Sequence, residues 1–152
     1  MRRILAVVLL LVLLPAVVFA AEKTKVDRYE VTYETAESSC TILSVSDPLR
    51  GYGGALPMEL PAELDGYTVT VLGAGALAEH STVGSLTLPA SLKELTGYTN
   101  QLPEKLEQIE VQPGNPVYHA TDGTLFQGTE LCLYPPADPA ESYTVPEGTV
   151  FR

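Results

Sequence analysis

After residue 50 the chain writes one short phrase four times, two apolar residues flanking a polar one and closing on proline. The copies are Met58-Glu59-Leu60-Pro61, Leu86-Thr87-Leu88-Pro89, Ile109-Glu110-Val111-Gln112-Pro113 and Tyr143-Thr144-Val145-Pro146. On a pleated strand the apolar pair points one way and the Glu or Thr between them the other. One such strand has too little apolar surface to offset the entropy of ordering it, so the copies are expected to stack and share an interior. The expected fold class is a β-rich solenoid over residues 57–152, with residues 28–56 as an N-terminal cap and loop and 21–27 as a flexible N-terminus.

Ahead of these lies a different kind of segment. Arg2 and Arg3 precede an uncharged apolar run from Ile4 to Val18, followed by Phe19, Ala20 and Ala21. The run is shorter than the roughly 20 residues of a membrane-spanning helix and holds Pro15. Residues 1–20 therefore read as a signal peptide cleaved after Ala20, which makes the product secreted or cell-surface associated. The whole chain has 152 residues and a formal net charge of −10, and losing Arg2 and Arg3 makes the balance more negative still. The remaining Lys and Arg are scattered, so neither nucleic acid nor, after cleavage, a membrane surface is an expected partner.

Local patterns fill in the architecture. Tyr29, Val31 and Tyr33 alternate with Arg28, Glu30, Thr32 and Glu34, and Cys40, Ile42 and Ser44 alternate with Thr41, Leu43 and Val45. Residues 28–46 thus read as a capping hairpin that covers the first stacked strand. The segment from Asp47 to Leu56, with Gly51, Gly53 and Gly54, reads as a loop. Asp65-Gly66 is a tight-turn pair leading into Tyr67, Val69 and Val71, and small residues from Gly73 to Ala76 let the backbone pack close to its neighbour. Of the intervals between Pro61, Pro89, Pro113 and Pro146, the last is the longest. An inserted hairpin explains it, with Asp122-Gly123 and Gly128 as turns around Leu125-Phe126 and Leu131-Cys132-Leu133-Tyr134.

Leu60-Pro61, Asp65-Gly66-Tyr67-Thr68-Val69, Gly73 with Ala76-Leu77, Leu86-Thr87-Leu88-Pro89-Ala90-Ser91-Leu92, Asn115-Pro116-Val117-Tyr118, Asp122-Gly123-Thr124-Leu125-Phe126 and Tyr134-Pro135 occur in an order that resembles the BspA-type leucine-rich repeat. The resemblance spans most of the chain after the signal run. It implies a right-handed leucine-rich-repeat coil, short loops in place of full helices, and a secreted or surface protein used for adhesion and protein contact. It carries over no catalytic residue. Leu77 departs from the family pattern, which has Phe there, and the sequence stops soon after the fourth phrase, as a shortened array would.

Site chemistry is sparse. His80 and His119 stand apart and in no metal-binding spacing, no serine sits in a Gly-x-Ser-x-Gly elbow, and Asp122 beside Gly123 lacks the further carboxylates of a calcium loop. No cofactor is expected. Glu104 and Glu107 are the carboxylate pair a small exported hydrolase would use, and solvated turn residues otherwise. Cys40 and Cys132 fall in different parts of the stack, about three strand spacings apart, too far for a disulfide, so they are expected as free, buried thiols. A bridge would instead fit an immunoglobulin-like sandwich, but the chain has no tryptophan for its core.

Two surfaces remain as candidates for a protein partner of host or envelope origin. Glu59, Thr87, Glu110 and Thr144 should form a column on the outer sheet face, either solvated or partner-facing. Tyr143, Val145, Val150 and Phe151 should form an open edge through which two copies could pair.

Overall fold

The computed structural model describes residues 20–46, 54–78, 82–97 and 102–151. Residues 1–19 of the expected signal peptide, the glycines at 51 and 53, and His80 lie outside the described residues. Those described form strands and turns without a helix.

The proline-ended phrases build a three-stranded parallel sheet of β4 (Leu56–Glu59), β7 (Val83–Leu88) and β9 (Gln108–Val111). Met58 pairs with Leu86 and Leu86 with Ile109, while Glu59 pairs with Thr87 and Thr87 with Glu110. Leu60 continues this register, its amide donating to the Thr87 carbonyl at 3.0 Å. Met58, Leu60, Leu86, Leu88 and Ile109 are all buried. Burial of each such side chain is worth about 2 kcal/mol.

Proline ends each strand because it has no N–H to extend the ladder. The carbonyl of Pro89 then accepts the Leu92 amide at 3.2 Å, turning Leu92 back into the core. Pro146 and Thr149 repeat this turn at 3.2 Å. The returning chain forms a second set of parallel pairs, in which β3 (Ser39–Ser46) lies beside β6 (Tyr67–Leu72) and β6 beside β8 (Glu94–Leu95). Gly73 sits at the closest approach: a side chain there would come within 2.8 Å of the Ile42 carbonyl, to which the Gly73 amide donates.

The expected hairpin of residues 28–46 is present as β2 (Tyr29–Ala36) and β3, with Tyr29, Val31, Tyr33, Cys40 and Ile42 buried. It extends the β6 sheet and reaches the edge of β4 only through side chains, Arg28 and Tyr29 approaching the Pro57 carbonyl. A register shift opposite Leu43 breaks the expected alternation, so Val45 turns inward and Ser44 is exposed. A bulge inserts a residue without a partner and so reverses every later side chain. The N-terminus also differs from expectation. Glu22–Val26 is ordered as β1, antiparallel to β2 and fastened by a Lys23–Glu30 ion pair at 2.9 Å. The short β5 (Glu63–Leu64) folds onto β6 through Asp65-Gly66, where both residues have positive φ, the conformation of a two-residue hairpin turn.

The inserted segment is a three-stranded antiparallel meander, β10 (Tyr118–Thr121), β11 (Thr124–Gln127) and β12 (Glu130–Leu133). The short β13 (Val150–Phe151) lies parallel to β12. The fourth phrase differs from expectation. Tyr143 to Pro146 forms no strand, and Val145, expected in line with Leu60, Leu88 and Val111, is exposed.

One side chain joins the parts. Asn115 Nδ2 donates to the carbonyls of Pro89 and Leu92 at 3.0 and 2.9 Å, and its Oδ1 accepts the amides of Val117 and Tyr118, both at 2.8 Å. It ties the third phrase to the second and aims β10. Asn115→Ala strands these backbone groups and is expected to cost about 2 kcal/mol. The thermal midpoint of the purified protein should fall by about 8 °C. Asn115→Asp, which keeps the acceptor but sets a carboxylate oxygen against the Pro89 and Leu92 carbonyls, should lose at least as much.

Candidate interaction surface

The outward face of the parallel sheet carries polar positions in rows. Glu59, Thr87 and Glu110 stand in mutual register, as expected from the phrase, with both glutamates exposed and Thr87 half-buried. At the strand spacing of about 4.8 Å, the two glutamates lie about 10 Å apart. Thr144 does not join them, because the segment carrying it stands outside this sheet.

Two features of the face were not anticipated. A second row, Pro57, Ser85 and Gln108, lies two residues earlier in the same strands and borders a hollow of about 200 Å³. The signal for it was the same strand alternation, carried one step further back. The other is Gln112, whose Nε2 donates to Glu59 Oε1 at 2.6 Å while its Oε1 accepts the Ala90 amide at 3.3 Å. Gln112 reaches from the third phrase to the first and holds the Glu59 carboxylate in place.

His119 lines two hollows, one of about 430 Å³ beside β9 and one of about 180 Å³ beside Pro146 and Glu147. Its ring stacks on buried Phe126 at 5.7 Å. Nothing in its sequence context marked it, since it is the antiparallel meander that lifts it between the two concavities. Among the described residues no group of three or more His, Cys, Asp or Glu is placed to hold a metal ion. Glu104 and Glu107 are both exposed.

The residues expected at an open edge fall in two segments. Val150 and Phe151 are in β13, 53% and 64% exposed, while Tyr143 and Val145 lie in the irregular segment before it. With Tyr134, whose ring lies 5.2 Å from that of Tyr143, the exposed large apolar side chains of the described residues all fall in the C-terminal part of the chain. Cys40 and Cys132 are free and buried, and burial pushes the Cys40 thiol up from its ordinary pKa.

No protein-family model matches the sequence, and no curated protein does. Among solved structures, the fold overlaps that of the pneumococcal vaccine antigen PcpA with a TM-score of 0.50 at 15% identity, over 84% of this chain. The chain spans 60% of the length of that structure. A leucine rich cell surface protein from Faecalibacterium prausnitzii overlaps more loosely, with a TM-score of 0.45 at 17% identity, over 64% of this chain and 25% of that one. At these identities the likeness is one of fold.

Among the described residues, the N-terminal hairpin holds the most perturbed titrating group. The buried Tyr33 hydroxyl donates to Asp65 Oδ2 at 2.7 Å, with Glu22 Oε2 at 3.2 Å. The Asp65 hydrogen bond and burial, followed by the bond to Glu22, push the Tyr33 pKa well above its ordinary value. An unfolded chain loses that proton near pH 10 while the folded one keeps it. The Tyr33 contribution is therefore full below pH 10 and is lost as pH rises from there toward the folded pKa. Urea midpoints measured from pH 8 to 11 should fall more steeply for the native protein than for Tyr33→Phe, which has no hydroxyl to titrate.

Proposed function

We propose that this chain is a non-catalytic binding module of the BspA-like leucine-rich-repeat type, a right-handed coil that is exported behind its N-terminal signal run and acts at or beyond the cell surface in adhesion. The observation that carries the reading is the registered outer face of β4, β7 and β9, a polar surface backed by a largely apolar interior. Such a stacked scaffold presents whatever its outer positions carry, so its side chains, and not the fold, select the partner. The fold shared with a protein described as a pneumococcal vaccine antigen supports a place at the surface. The partner is a protein, of the host or of the envelope.

Double substitution Glu59→Lys with Thr87→Lys alters the centre of this face without touching the core. Binding of the fluorescently labelled protein to host epithelial cells and to the bacterial envelope should fall at least threefold, with an unchanged circular dichroism spectrum. Undiminished binding by the folded double variant would reject the face. Turnover in a hydrolase screen, abolished by alanine at Glu104 and Glu107, would reject the non-catalytic reading.

The apolar C-terminal edge supports a second property, pairing of two copies through β13 and the Tyr143 to Val145 segment. Light scattering should report a dimer that Phe151→Lys returns to monomer. A native monomer at high micromolar concentration would overturn this.

A further inference from the structure

The outer side of β9 is where the parallel sheet stops, and the hydrogen bonds show which backbone groups it leaves open. The Gln112 amide donates inward to the Leu88 carbonyl at 2.9 Å, whereas the Ile109 amide donates outward to the Gly123 carbonyl at 2.8 Å. Backbone groups alternate sides along a parallel strand. Val111 therefore turns its N–H and C=O outward, as Ile109 does, and among the described residues no strand of this sheet lies beyond it. The Asp122-Gly123 turn covers the edge at Ile109 and stops short of Val111.

The hollow of about 430 Å³ opens at that position. Glu110, Val111 and Gln112 line one side, and Tyr118 and His119 of β10 another. Most of its polar groups are already engaged: Gln112 with Glu59 and Ala90, Asn115 with four backbone groups, and Tyr118 through its hydroxyl, which accepts the Leu95 amide at 3.1 Å. What remains includes the strand-like donor and acceptor pair on Val111, that on Ala120 of the edge strand β10, the exposed Glu110 carboxylate and the His119 ring. No Lys or Arg lines the hollow.

We infer that this groove receives an extended, lysine- or arginine-bearing segment of a partner protein, its main chain pairing with Val111 and a basic side chain lying over Glu110. This is a strand-addition mode, in which backbone bonds hold the peptide and side-chain charge selects it. The net charge of −10 draws in a basic segment at longer range. The inference rests on the non-catalytic binding reading and names one site and one partner chemistry within it.

A fluorescent octapeptide of alternating lysine and valine tests it by anisotropy against the folded protein. It should bind measurably more tightly than its glutamate-valine counterpart, and more weakly as salt is raised. Glu110→Lys should weaken binding about fivefold, a change ordinary for an exposed charge. Glu141→Lys, the same charge change on an exposed residue outside the groove, should leave it within twofold. Val111→Pro removes the outward N–H without breaking a ladder bond. Methylating the peptide's own amides blocks strand pairing without altering the protein, so either change should weaken binding at least threefold. Equal binding of the two peptides, or indifference to Glu110→Lys and to amide methylation, would overturn the groove. If that happens while Glu59→Lys with Thr87→Lys still reduces cell binding, the groove alone fails. If neither set of variants has an effect, the binding reading fails with it.

Discussion

Parallel pairing in one shared register from Met58, Leu86 and Ile109 onward is the constraint from which the rest of this structure follows. When Met58, Leu86 and Ile109 stand side by side, Leu60, Leu88 and Val111 must as well, and the residues between them must face the other way. A slip by one residue would bury Glu59 and Glu110 and expose five large apolar side chains, so the core enforces the register. The polar outer face is thus the geometric complement of the core, and its rows of side chains are as well placed as the leucines behind them.

Register alone does not hold successive turns of chain at a fixed separation, and polar side chains supply that. Asn115 ties the third phrase to the loop after the second. The Ser91 hydroxyl donates to the Val69 carbonyl at 2.7 Å, and Gln112 spans from Ala90 to Glu59. Asn115 and Gln112 satisfy backbone groups just past the end of β7, and Ser91 satisfies a carbonyl of β6, each a place where an unpaired group would carry the full cost of desolvation. Gly73 answers the same demand sterically, by giving the backbone room to approach Ile42.

Much of this was legible in the sequence, for identifiable reasons. The three paired phrases, the Asp65-Gly66 and Asp122-Gly123 turns, and the Tyr29, Val31, Tyr33 alternation all follow from local periodicity and turn chemistry, and each lies where that reading put it. Other features escaped. The bulge at Leu43 leaves no local signature, because an extra residue in a strand is recognised only from its partner. Glu22–Val26 carries no apolar stripe, and its strand state comes from pairing with β2 and from contacts such as Thr24 with Asp65, while its lysines suit an exposed edge. His119 gains its position only once the meander has folded.

The fourth phrase shows how a repeat can keep its local grammar and lose its place. Tyr143 to Pro146 has the right residues, and the turn after it has the same geometry as that after Pro89. What it lacks is the edge it would have joined. The turn between β10 and β11 already takes the Ile109 amide, and Gly123 packs so closely on Gln108 that a side chain at Gly123 would come within 3.1 Å of it. The meander therefore stands where a fourth parallel strand would lie, and the phrase is left exposed beside β12 and β13. Because the turn covers Ile109 but not Val111, the same interruption that ends the sheet leaves a groove with an open backbone edge, bordered by Glu110 and His119. A strand repeat that ran on without the insertion would pair that edge internally, so the break in the pattern is what creates a recognition site on an otherwise uniform face.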